Sequence, residues 1–185
     1  MKSAVCCLIT AAVMPAAALA QQADAWPSRM VRIVHGFGAS GSIDFYARLL
    51  AAQFKAKFGQ TAIVDMKPGA GGTIAAASVA RSAPDGYTLF LMASGHAAAP
   101  GLYNSLPYDP VNDFTVVSML TRSGLGIVAN ANAPFRTIQE MVEQARKRPG
   151  GIDYGTPGIG TGPHLAAAFM QAGAGISLNH IPYKT

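Results

Sequence analysis

A chain of 185 residues with 14 Lys and Arg against nine Asp and Glu carries a formal charge of +5. Half of its residues are apolar and 12% are charged, which excludes an intrinsically disordered protein and describes a globular one. The basic residues are scattered, and the one cluster, Arg146-Lys147-Arg148, closes a predicted helix, where cations suit the dipole. The aromatic-interleaved basic stripe of a nucleic-acid surface is missing.

The chain opens with Lys2, an apolar run over Ala4–Ala20 and the small-x-small ending Ala18-Leu19-Ala20. This pattern predicts a cleavable signal peptide over residues 1–20 and a secreted protein. Pro15 interrupts the run, which is too short on sustained apolar length to span a bilayer. Cys6 and Cys7 both fall inside it, so the mature chain is expected to hold no disulfide, thiol chemistry or Cys-based zinc site. About 165 residues then remain for folding.

Val31–His35 reads as a strand, Gly36–Ser42 as a glycine-bearing loop, and the segment to Phe58 as an amphipathic helix. Ile43, Ala47, Leu50, Ala51 and Phe54 form its apolar stripe, which Phe45, Tyr46 and Leu49 widen. A strand feeding a glycine loop at a helix N-terminus makes an anion site from unpaired N–H groups and the helix dipole. Gly59 is a C-cap, Thr61–Asp65 a second strand, and Lys67–Gly72 a second glycine loop opening a helix from Thr73 to Ser82. Pro84-Asp85-Gly86 is a turn. Tyr87–Met92 is a third strand, ending at Ala93-Ser94-Gly95-His96. The repeated strand–loop–helix order predicts a parallel α/β sheet with ligand at the carboxyl ends of the strands.

Leu106-Pro107-Tyr108-Asp109-Pro110 is a Pro-bracketed extended segment and the expected crossover between domains. Beyond it, Val116–Leu120 and Gly126–Asn130 read as strands, and Thr137–Arg148 as a helix with a Thr137/Glu140 capping box. The apolar face of that helix is Ile138, Met141, Val142 and Ala145. Ile152–Tyr154 is a short strand leading into the loop Gly155–Gly162, His164–Gln171 is helical, and Leu178–Tyr183 is a last strand. No helix follows to cover that strand as a parallel sheet requires. The second unit therefore reads as incomplete, giving a first α/β domain over 21–107 and an incomplete one over 108–185.

The chemistry points to binding. Gly36-x-Gly38-x-x-Gly41 matches the dinucleotide fingerprint, but Asp65 lies further along than the ribose-binding acid of that motif, and secretion separates a chain from nicotinamide cofactors. Ser94 is not in a nucleophile elbow. His35, His96, His164 and His180 lack the helical spacing of a metal site, and a lone His is more often a packing or capping residue. Asp44 is most simply a dipole-favoured residue of the first helical turn, with ligand contact as the sharper alternative. No catalytic, metal or cofactor site is expected.

These motifs, taken together, resemble the Bug family, the extracytoplasmic solute receptors of tripartite tricarboxylate transporters. The resemblance rests on Gly36-Phe37 with Gly41 and Asp44, Lys67–Gly72, Pro84–Leu89, Leu106–Pro110 with Asp113-Phe114, Tyr154-Gly155, Gly158, Gly160-Thr161, His164-Leu165 and His180–Lys184. It covers the mature chain in family order. It implies a type II periplasmic-binding-protein fold of two parallel-sheet α/β domains, the second incomplete here, closing as a monomer in the periplasm over a small carboxylate-bearing solute. Membrane subunits of the transporter are the implied partners. The implied pocket uses Phe37, Gly41, Ser42 and Asp44, then Ser94, Gly95 and His96, and from the second domain Thr156, Gly160, Thr161 and His164.

The sequence departs from the family pattern at Ser40, Met66-Lys67, Pro157, Pro163 and Thr185. Family members also continue past the His-x-Pro-Tyr-Lys motif to complete both domains, so the expectation is a truncated or prematurely ended receptor. Two further readings stand beside it. A dinucleotide-binding oxidoreductase predicts stabilisation by a nicotinamide cofactor, and a secreted non-binding α/β protein predicts no stabilisation by any carboxylate.

Overall fold

The computed structural model describes residues 26–39 and 41–183. The expected signal peptide, Ser40 and the last two residues lie outside the described residues.

In the first sheet β1 (Val31–His35) is central, flanked by β2 (Ala62–Met66) and β3 (Thr88–Phe90), all parallel. A parallel neighbour cannot be reached by a hairpin. The crossovers are α1 (Ser42–Phe58) between β1 and β2, and α2 (Thr73–Ala80) between β2 and β3. Val31, Ile33, Val34 and His35 are wholly buried, as a central parallel strand covered on both faces must be. A 3₁₀ turn, Ala70–Gly72, precedes α2, and α3 (Gly95–Leu102) follows β3.

The second sheet is one parallel pair, β4 (Asp153–Thr156) and β5 (Asn179–Pro182), joined through α5 (Gly162–Ala174). The helix α4 (Ile138–Lys147) precedes it, and Arg146 Nη2 donates to the Ala174 carbonyl at 2.8 Å, tying α4 to the end of α5. The sequence-predicted helices and the strands of both sheets are thus present, with ends moved by a few residues.

Local chemistry explains the boundaries. The helix α1 stops at Gly59, whose φ of 69° suits a residue without Cβ, and its N–H donates to Lys55 O at 3.1 Å. In the turn before β3, Asp85 Oδ1 accepts from Tyr87 N at 3.0 Å and Arg29 pairs with Asp85 at 2.7 Å. The Tyr87 N–H is the main reason that the Asp85 carboxyl is held below its ordinary range. At α4, Thr137 Oγ1 accepts from Glu140 N at 3.2 Å, but Glu140 Oε2 accepts from Arg136 N at 2.6 Å, so the capping box closes one residue early.

Three expectations change. Val116–Leu120 and Gly126–Asn130 are not strands: they run without ladder hydrogen bonds and are exposed throughout. Apolar β-prone residues form a strand only when a neighbour takes their N–H and C=O groups, and no such neighbour exists among the described residues. The stripe of α1 is narrower than expected. Ala47 and Phe54 are buried, whereas Phe45 and Leu49 are 62% and 48% exposed, because β1 and β2 cover only one side of the helix. On α4, Met141 and Ala145 are buried but Ile138 is exposed, since it occupies the first turn, beyond the covered part.

The Pro-bracketed segment packs inward. Tyr108 is buried against Ala76 and Ala77, with Leu106, Phe90 and Phe114 around it. At the start of the described chain, Trp26 meets Phe54, Phe58 and Tyr87 with ring centroids 5.8–6.2 Å apart.

Burial of the α1 stripe predicts a contrast measurable by urea unfolding. Phe54→Ala should cost about 3–5 kcal/mol, while Phe45→Ala should stay within about 0.5 kcal/mol. Equal costs would mean that α1 packs on a different face.

Candidate functional site

The carboxyl ends of β1, β2, β3 and β4 each release a glycine- or serine-bearing loop, and these loops meet at backbone distance. A Cβ built on Gly36 would stand 2.4 Å from Gly72 Cα, and one on Gly95 the same distance from Gly160 O. A Cβ on Gly71 would lie 3.2 Å from Ile159 O. Ser94 Oγ sits 2.4 Å from where a Gly162 Cβ would be, and the Phe37 ring lies against Gly72. Gly71, Gly72 and Gly160 hold φ of 62°, 98° and 82°, a left-handed backbone that favours glycine, while space excludes a side chain at Gly36 and Gly95. The loops of the first and second sheets touch at this junction.

Three helices begin beside these loops. The N-caps of α1 (Gly41), α3 (Ser94) and α5 (Thr161) make no side-chain cap hydrogen bond. Their first-turn N–H groups and positive dipole ends suit a carboxylate. Ser42 and Ser94 are exposed there and Gly41 is half-buried.

Beneath α1, Asp44 is buried and turned inward. Arg48 Nε donates to its Oδ2 at 2.9 Å, and His35 Nε2 lies 3.5 Å from Oδ1. His35 Nδ1 accepts from Phe37 N at 3.3 Å, tying the loop to the strand below. The hydrogen bond to Asp44 raises the Arg48 pKa, and the guanidinium stays charged. Asp44 therefore anchors the helix start from inside.

His96 is also a packing residue in this structure. Its ring stacks on Tyr108 and meets Phe90 and Phe114 edge-on, and its Nε2 lies 3.0 Å from Pro110 O. Burial is the main cause of a raised Tyr108 pKa.

On the second sheet, Thr156 and Thr161 are buried and shape the loop between them. Gly158 N donates to Thr156 Oγ1 at 3.2 Å, and Thr161 Oγ1 donates to Gly158 O at 2.7 Å. Gly160 N donates to His164 Nδ1 at 3.4 Å. Thr156 Oγ1 lies 2.7 Å from His180 Nε2, and the His180 ring sits between Tyr154 at 4.8 Å and His164 at 4.7 Å. Burial first, and the neighbouring His164 second, push the His180 pKa below the ordinary imidazole value.

Of the sequence-predicted set, the structure brings Phe37, Ser94, Gly95, Gly160, Thr161 and His164 to the junction or its immediate support. Gly41 and Ser42 stand at the α1 N-terminus, Thr156 braces the second loop, and Asp44 and His96 lie beneath. Sequence reasoning gave His35 and His180 no place in the site. The parallel register that sets Tyr154 beside His180 has no one-dimensional signal.

Asp65, the acid weighed for the dinucleotide reading, lies with its Oδ2 3.8 Å from both Arg32 Nη1 and Lys67 Nζ. Among the described residues no group of three or more His, Cys, Asp and Glu could hold a metal ion, and no helix is long and apolar enough to cross a membrane. An open cleft of about 450 Å³ lies at the opposite, amino-terminal end of the first sheet, but its Arg29 is already paired with Asp85.

A family model described as tripartite tricarboxylate transporter family receptor matches residues 46–185. A UPF0065 protein of Cupriavidus necator is 39% identical over 173 residues, covering 94% of this chain and 52% of its own length. The chain spans about half the length of the curated relatives it matches. Among solved structures, Rpa4515 of R. palustris with adipate is 33% identical, with a TM-score of 0.80 over 86% of this chain and 54% of that one. MatC from Rhodopseudomonas palustris with bound malate is 30% identical, with a TM-score of 0.79 and the same coverage. The periplasmic binding protein BugD is 35% identical, with a TM-score of 0.70 over 86% of this chain and 53% of that one. The two parallel α/β sheets thus have the periplasmic-binding-protein fold over the half that this chain spans.

The depressed His180 pKa predicts a pH effect on stability. The unfolded chain takes up that proton first, near pH 6.5, so stability should be complete above this value and fall as pH drops through it towards the folded-state value. Urea midpoints followed across this range should show the fall, and His180→Gln should flatten it. An unchanged slope in the variant would exclude His180 as the source.

Proposed function

Because the chain belongs to the tripartite tricarboxylate transporter receptor family, we propose that it serves as a periplasmic receptor that captures a small carboxylate-bearing solute at the glycine junction. The solute is delivered to the membrane subunits of such a transporter, and the signal peptide over residues 1–20 directs the export this role needs. The role is binding rather than catalysis.

The observation that carries this reading is the meeting of the α3 and α5 N-termini, without side-chain caps, at loops packed backbone to backbone. N–H groups held there by the fold are already oriented, so a carboxylate is bound without ordering a flexible cation. Phe37 gives an apolar wall, and the Ser42 and Ser94 hydroxyls add donors. Adipate and malate, bound in the related structures, are the first solutes to try.

Thermal unfolding of the purified chain with a panel of dicarboxylates and tricarboxylates is the test. A solute at about a hundred times its Kd adds about 2.7 kcal/mol and raises Tm. Gly95→Ala, which sets a Cβ against Gly160 O, should reduce or abolish the shift. A nicotinamide cofactor raising Tm while every carboxylate fails would replace this reading with the oxidoreductase one.

A further inference from the structure

Two histidines face each other behind the second loop of the junction, and they hold it by different atoms. His164 accepts the Gly160 N–H at Nδ1, so its neutral form carries the ring proton on Nε2. His180 meets the Thr156 hydroxyl through Nε2. Gly160 is the residue whose backbone presses on Gly71 and Gly95 of the first sheet's loops. One imidazole nitrogen therefore holds the peptide at which the two sheets touch.

Protonation affects the two rings differently. A protonated His180 can still donate from Nε2 to Thr156 Oγ1. A protonated His164 has no lone pair on Nδ1, and the Gly160 N–H loses its acceptor. With ring centroids 4.7 Å apart, two imidazolium charges would also repel. The groups around the pair do not cancel this charge. From β4 they are Tyr154, stacked on His180, and Asp153, whose Oδ1 already accepts from Asn179 Nδ2 at 2.7 Å. From α5, Gln171 Nε2 reaches the Tyr154 hydroxyl at 3.4 Å. From the end of α3 comes the Tyr103 hydroxyl beside Gly160, and after β5 the Tyr183 ring beside Gly155.

We propose that His164 and His180 form a proton-sensitive latch on the solute junction: neutral His164 holds the Gly160 amide, and its protonation frees that amide and loosens the contact of Gly160 with Gly71 and Gly95. His180 is a positioning residue that fixes Thr156 and keeps a second charge away from His164. The effect on solute capture rests on the receptor reading above, but the latch itself does not. Solute is then held while His164 is neutral and released when it is protonated.

The closing experiment has two arms on the full chain. Without solute, NMR follows the His164 and His180 ring protons and the Gly160 amide between about pH 5 and 8. The Gly160 amide should shift in step with His164, and His164→Asn, which keeps an acceptor that does not titrate, should abolish that shift and move the His180 midpoint up. With adipate, the wild-type Kd should weaken about tenfold, equivalent to one pH unit of linkage, from neutral pH to the acid end. In His164→Asn only the adipate's own titration should remain.

A Gly160 amide that ignores His164 in the wild-type chain, or an unaltered pH dependence of Kd in the variant, overturns the latch. Adipate, malate and citrate all failing to bind at every pH overturns the receptor reading instead, and the Gly160 titration still decides the latch.

Discussion

The constraint on which the rest of the structure depends is that the loops at the carboxyl ends of the two sheets approach through their backbones. Gly36 rests on Gly72, and Gly160 rests on both Gly71 and Gly95. Side chains at Gly36 or Gly95 would hold the loops apart. Glycine carries an entropic penalty in the unfolded chain. Here that penalty is offset by packing of the flanking elements: the four buried residues of β1, the alanines of α2, and the Tyr108–Phe114–His96 cluster.

The electrostatics of the junction follow from this geometry. Asp44, the nearest carboxylate, is neutralised from below by Arg48, with His35 behind it.

Chemistry that depends on neighbours in sequence was readable residue by residue. Gly59 ended α1, Asp85 and Gly86 built the turn before β3, and Thr137 capped α4. Val31–His35 announced a buried strand. The glycine loops, the hydroxyl-bearing strand ends and the order of motifs carried the family resemblance, and the comparisons bear the family out, its model matching residues 46–185. The same local rules overreached at Val116–Leu120 and Gly126–Asn130, where β-propensity described residues able to form a strand but could not supply the neighbouring strand.

Local propensity, capping and turn chemistry act over a few residues, and so the one-dimensional chain already specified its helices, its parallel α/β class and the position of its glycine loops. The partners across space came only with the fold. Nothing in the order of residues told that His35 would lie behind Asp44, that His96 would stack on Tyr108, or that His180 would fall beside His164 and Thr156. The place of His180 depends on the β4–β5 register, which pairs it with Tyr154 26 residues away, and the junction depends on loops that meet across as many as 89 residues.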